Sequence, residues 1–158
     1  MGALLPLVLL PIALSVAPAP GGQDLSRVAS IATMQGSCTR LVVPGGGDQT
    51  SRCTGKLLNI AYRDNRSSFR VAMGDILLLG FYGDDQAAVG DSAVLVVRKI
   101  IITRLGSNKT DTLDAVGECR YTNPYAGPSH VDCKASRPGE VYEFSFVSDG
   151  KPPAVTRF

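Results

Sequence analysis

Tryptophan is absent, histidine occurs once, and the formal charge is only +2 across 158 residues. Each shortage removes a class of reading. Without Trp the chain lacks the residue that an immunoglobulin domain packs against its inter-sheet disulfide. With His130 as the only imidazole and no C-x-x-C pair among the cysteines, no zinc site is spelled out. A nearly balanced charge, with no basic run interleaved with aromatics, gives no electrostatic footprint for nucleic acid. A G-x-S-x-G nucleophile elbow is missing too. So is an apolar run as long as the roughly 20 residues that cross a bilayer as a helix.

What is present begins with an apolar, uncharged stretch from Ala3 to Ala17, followed by small residues and prolines, with Asp24 as the first charge. This reads as an export signal over residues 1–20, leaving 21–158 as a single domain. The segment departs from the usual form in two ways: it has no Lys or Arg before the apolar run, and Pro6 and Pro11 interrupt it. A chain so marked is expected to be secreted or periplasmic, in a bacterial style. Four cysteines, Cys38, Cys53, Cys119 and Cys133, then read as two disulfides formed in an oxidising compartment. Sequence leaves three pairings open. Cys38–Cys53 and Cys119–Cys133 are favoured because each closes a short loop between neighbouring strands. The rival Cys53–Cys119 has an immunoglobulin-like separation, but Gly117 stands where that fold places a Tyr.

The stretch from Cys53 to Asp85 organises the rest. Phe69, Val71 and Met73 alternate with Ser68, Arg70 and Ala72, the period of a strand with one face expected to be wet. Asp64-Asn65-Arg66 and Gly74-Asp75 supply turns on either side. Leu57–Tyr62 and Ile76–Tyr82 are apolar on both faces, and the meander ends at Gly83-Asp84-Asp85. Upstream, Cys38–Val43 is a strand ended by the Pro44–Asp48 glycine-rich loop. That loop lacks the Lys-Ser/Thr of a phosphate cradle and reads as a hairpin. Asp24-Leu25-Ser26 could cap a short helix with Leu25, Val28, Ala29 and Ala32 on one face, but Val28–Met34 reads rather as an irregular or strand-like entry.

Downstream, Asp84–Asp91 is a polar excursion, read as a solvated loop rather than a calcium loop because no Glu closes it. Val94–Arg104 is the most β-prone run, with a bulge expected at Arg98-Lys99. Leu113–Tyr121 and Val131–Ala135 form a hairpin around Asn123–Pro128. Glu140–Val147 alternates Tyr142, Phe144 and Phe146 with Glu143 and Ser145, and Pro152-Pro153 permits only an edge or a tail beyond it. The sum is an all-β fold, a small antiparallel sandwich or barrel of about eight short strands held by two disulfides.

Catalysis has little to stand on. A triad would need His130, and neighbouring Ser129 would point to the opposite face of a strand. Glu118, Asp132, Glu140 and Glu143 are the carboxylates available for paired acid–base work, but nothing in the sequence brings two together. No catalytic, cofactor-binding or metal residue is assigned, and no cofactor is implied. The function expected is a non-enzymatic binding or interaction module of the periplasm or cell envelope. Its partner would be an envelope protein or a small ligand, and Tyr62, Phe81, Tyr82, Tyr121 and Tyr125 are candidates for an aromatic patch. In that reading Tyr62 and Phe81 are more readily core residues. The alternatives are a small secreted hydrolase or protease inhibitor presenting the Asn123–Pro128 loop, and a small outer-membrane barrel. Against the last stands the absence of aromatic girdles and the two prolines near the end. The mature chain is expected to bind no nucleic acid and to lack a stable membrane span. Its oligomeric state is unknown.

Overall fold

The computed structural model describes residues 25–107 and 109–158, so the segment read as an export signal lies outside the described residues. The chain enters through a 3-10 turn at Leu25–Arg27. Ten strands follow: β1 (Val28–Val43), β2 (Gly47–Asp48), β3 (Cys53–Tyr62), β4 (Arg66–Met73), β5 (Leu77–Asp85), β6 (Ser92–Arg104), β7 (Lys109–Thr122), β8 (His130–Arg137), β9 (Glu140–Ser148) and β10 (Ala154–Arg157). Strand β1 pairs antiparallel with β3, each of β3 to β8 pairs antiparallel with the next, and β9 returns to β1. Eight strands therefore close into a barrel, with β2 and β10 as additions to β1. Closure leaves those eight with no long open edge, the usual liability of a sheet.

The inward face follows the period of two. Leu57, Phe69, Val71, Leu79, Phe81, Ile100, Phe144 and Phe146 are all buried within the barrel. Phe81 stacks on Phe144, and Phe144 on Phe146, with ring centroids 6.4 and 6.1 Å apart. The lumen is thus a packed apolar core. Both turns of the central meander are as their residues require: Asn65 and Gly74 hold φ of 58° and 57°, the left-handed region that Asn and Gly tolerate. The register against both β5 and β7 skips Arg98, which is the bulge expected in that strand.

Both disulfides have the favoured pairing, Cys38–Cys53 and Cys119–Cys133. Cys119 and Cys133 are direct partners in the β7–β8 ladder. Cys38 and Cys53 tie β1 to the start of β3 across the loop that carries β2.

Five expectations change. The strands are not all short: β1, β6 and β7 run 16, 13 and 14 residues, because strands of a tilted barrel must span its full height. Val28–Met34 and Cys38–Val43 are one strand, since β1 bulges between Cys38 and Arg40 without breaking. Asp84 and Asp85 belong to the end of β5 rather than to a solvated loop, and Asp85 faces inward. Tyr62 is not core. It lies on the outer wall, edge-on to Tyr82 at 5.5 Å, and accepts a hydrogen bond from Arg70 at 3.1 Å. The face of β4 expected to be wet is also covered: Ser68 and Arg70 are buried, Arg70 because its stem lies across Gly80, where a Cβ would sit 3.3 Å from the Arg70 Cγ.

Candidate functional site

The barrel seam changes character partway along β1. From Gly36 to Val42, β1 pairs with β9. At the end of β9 the Asp149 N–H still reaches the Gln35 carbonyl, at 2.8 Å. The chain then swings out through Gly150–Pro153 and returns as β10, opposite Ser30–Thr33 on the edge of β1 that β9 had occupied. Strand β8 does not follow. It begins at His130, opposite Val147, so among the described residues β10 has no neighbour on its far side. Two prolines in the excursion explain the break, since neither can donate to a ladder.

A slot of about 290 Å³ opens where the missing neighbour would lie. Its floor is Ala32 and Met34 of β1, Asn59 of β3 and Phe69 of β4. One bank is Pro153, Val155 and Arg157; the other is Tyr121, Thr122, Pro124, Tyr125 and Ser129. Most of this lining is apolar, with a few polar groups placed within it, the usual composition of a ligand site. The volume lies at the low end of the roughly 300–1,000 Å³ typical of drug-sized ligands.

The polar groups differ in how well they are already satisfied. Ser129 is buried; its hydroxyl donates to the Thr122 carbonyl at 2.8 Å, and its N–H donates to the Ser148 hydroxyl at 2.8 Å. It is a structural clasp holding the β7–β8 loop to the end of β9. The Asn59 amide reaches only the Ser68 carbonyl, at a long 3.5 Å. Arg157 forms no ion pair or side-chain hydrogen bond among the described residues, whereas nine other cations are ion-paired. Asn59 and Arg157 are therefore the slot's available recognition groups.

Behind the slot, Tyr121 packs edge-on to Phe69 with centroids 5.0 Å apart. Its hydroxyl donates to Asp85 Oδ1 at 3.3 Å, and the Ser67 hydroxyl donates to the same oxygen at 2.8 Å. Burial pushes the Asp85 carboxyl above the ordinary carboxylate range, against the opposing pull of those two hydrogen bonds. Burial, helped by the nearby Asp85 charge, pushes the Tyr121 phenol up to about 12. Asp85 lies close to no cation, so the barrel interior carries an acid that it holds at a cost.

The sequence-predicted candidates scatter. Of the five aromatics, Phe81 is core, Tyr62 and Tyr82 share the outer wall, and only Tyr121 and Tyr125 line the slot. His130 is exposed on the wall, in a shallow depression with Arg120 and Asp132, and is not aimed with Ser129 at a common point. Glu118 pairs with Arg120, Glu140 with Arg137, and Glu143 with both Arg40 and Lys134. Asp132 sits opposite Arg120 in the ladder. These carboxylates form an outer-wall charge lattice and not an acid–base pair. Among the described residues no group of three or more metal-ligating side chains converges.

Asn59 and Arg157 were not singled out from sequence, and Asp85 was read only as part of the solvated Asp84–Asp91 loop. Asn59 carried a faint signal as the lone amide in an apolar run. Arg157 carried none, because its position depends on the β9–β10 slip. The fold and slot together define a closed, disulfide-tied antiparallel barrel with one open side at its mouth. Family models, curated proteins and solved structures offer no match to this chain.

Proposed function

We propose that this is an exported binding module of the periplasm or cell envelope, and that its binding site is the slot beside β10. The observation that carries the reading is the slot itself: a mostly apolar cavity in a filled barrel, with Asn59 and Arg157 weakly engaged or free inside it. Two disulfides suit an oxidising compartment, which agrees with the export signal read from residues 1–20. The slot holds no nucleophile–base pair: Ser129 is committed to backbone partners and His130 is outside it.

Wall chemistry favours this reading over a lipid-facing barrel. A membrane barrel turns an apolar band outward and a polar lining inward. Here the lining is apolar, and the outer wall of β6–β9 carries Lys99–Asp114, Arg104–Asp111, Arg120–Glu118 and Lys134–Glu143 ion pairs. The inhibitor alternative rests on the exposed Asn123–Pro128 loop, where Tyr125 is 62% exposed. Unchanged protease activity on titration with the protein would remove it.

The direct test fills the slot. Ala32→Trp places an indole on the floor between Asn59 and Val155. Tagged wild-type and A32W proteins are incubated with an envelope extract, and retained proteins and small molecules are compared by mass spectrometry. A component held by wild type and lost from A32W is expected. Identical retention by both proteins refutes the slot as the binding site.

A further inference from the structure

We infer that the slot takes an extended polypeptide segment, which adds to β10 as a further strand and directs a carboxylate to Arg157. The inference rests on the slot being the binding site and specifies what enters it.

The free edge can be read residue by residue. In an antiparallel pair, residues alternate between those that exchange hydrogen bonds with the partner strand and those that point theirs away. The Phe158 N–H donates to the Ala29 carbonyl at 3.1 Å. In the same register, Thr156 lies opposite Ile31 and Ala154 opposite Thr33, so these residues face β1. Val155 and Arg157 lie between them and present their N–H and C=O groups to the open side. The same two residues send their side chains into the slot. Unpaired backbone and side-chain lining therefore coincide, the arrangement by which a sheet edge recognises an extended peptide: main-chain bonds supply affinity and pockets for alternate side chains supply specificity.

Three features narrow the partner. The floor of Ala32, Met34 and Phe69 accepts an apolar side chain. Arg157 lines the slot with no anion beside it among the described residues, so a carboxylate, from an acidic side chain or a chain terminus, meets an unpaired guanidinium. Strand β10 is only four residues long and follows Pro152-Pro153. Short edges and prolines protect a sheet from indiscriminate pairing. They also limit the added ladder to the rungs at Val155 and Arg157, so binding depends on the slot contacts as well as the backbone.

The probes are fluorescein-labelled hexapeptides in which Leu, Val or Phe alternates with Ser or Thr, ending in a free carboxylate. Matched peptides end in an amide or carry N-methyl groups on one or the other alternate set of amides. The small anionic amphiphile 1-anilinonaphthalene-8-sulfonate is the non-peptide control. Fluorescence anisotropy with the exported, oxidised protein is expected to show binding of the carboxylate peptides. N-methylation of one alternate set, and not the other, is expected to weaken binding at least tenfold. Val155→Pro removes an N–H that β1 does not use and is expected to weaken binding similarly. Amidation is expected to weaken it several-fold, a difference that Arg157→Gln abolishes. The N-methylated peptides leave the protein untouched, so the result does not depend on how V155P folds. Peptide binding indifferent to N-methylation overturns the inference. So does binding of the sulfonate alone, abolished by A32W, although the slot then stands as a small-molecule site. If no probe distinguishes wild type from A32W, both the strand inference and the slot reading fall.

Discussion

One edge of β1 is closed in two different ways. Its C-terminal half meets β9, where Leu41, Phe144 and Phe146 are buried and the ladder continues into β8. Its N-terminal half meets β10, whose four residues are all exposed and whose far side no described residue pairs with. The two seams share a partner strand and a direction. They differ by the Gly150–Pro153 excursion, which offsets the register and moves β10 beyond the reach of β8. A barrel can thus be stable along one half of a seam and receptive along the other, because stability comes from buried apolar area while recognition needs unpaired groups.

The sharpest way to break this comparison is to truncate one apolar side chain on each seam. Phe144→Ala empties the stack between Phe81 and Phe146 and is expected to cost about 3–5 kcal/mol. Val155→Ala is expected to stay within about 0.5 kcal/mol, as for exposed positions in general. Urea denaturation of both variants checks the pair; comparable losses would mean that the two seams are equally structural.

Next comes the junction between them. At Gly36 a Cβ would stand 2.1 Å from the Val147 carbonyl oxygen and 2.7 Å from the Ser148 Cα. Backbone must move to admit it, so Gly36→Ala is expected to destabilise by roughly 3 kcal/mol or more. The disturbance should reach β9 before β10, which amide hydrogen exchange resolves. Faster exchange confined to β10 would place the junction elsewhere.

A smaller effect concerns the groups behind the slot. The folded protein holds the Tyr121 proton up to about 12, against 10.0 for the free phenol. The unfolded chain therefore ionises first, and stability is lost as pH rises from about 10 to 12, by about 2 kcal/mol. Tyr121→Phe should flatten that part of the stability–pH curve. An unchanged slope would assign the alkaline loss to another group.

The smallest effect is at Asp85. Its folded value is raised, so the folded state binds the proton more tightly than the unfolded chain does. Its contribution is favourable in acid and is lost as pH rises through the window above the ordinary carboxylate value. Asp85→Asn keeps an acceptor for Ser67 and Tyr121 without the charge. It should be slightly more stable than wild type at pH 7, with the difference disappearing near pH 3. Greater wild-type stability at pH 7 would show that the carboxylate charge is favoured where it sits.

Local pattern carried much of the fold. The alternation in β9, the turns at Asn65 and Gly74 and the bulge at Arg98 follow from short stretches of chain, as does the preference for the two short-loop cysteine pairings, because side-chain direction in a strand has a period of two and turns have residue-specific geometry. The all-β class follows from the same signals. The choice between sandwich and barrel did not, since it depends on whether β9 finds β1 across more than a hundred residues. Tyr62 shows the same limit: its apolar neighbourhood reads as core, yet the register of β3 against β4 turns it outward.

The slot was less legible still. It is made by an absence, a strand that β8 does not supply, together with a register offset at two prolines. Arg157 becomes a recognition residue only because β10 returns to β1 at that offset, and Asp85 becomes a half-buried acid only because β5 ends inside the mouth. Sequence by itself determined strand identity, turn positions and the bridging cysteines, all of which depend on neighbours within a few residues. Closure, the open side and the free edge of β10 were decided by tertiary structure, because they depend on which strands meet after the whole chain has wound once around the core.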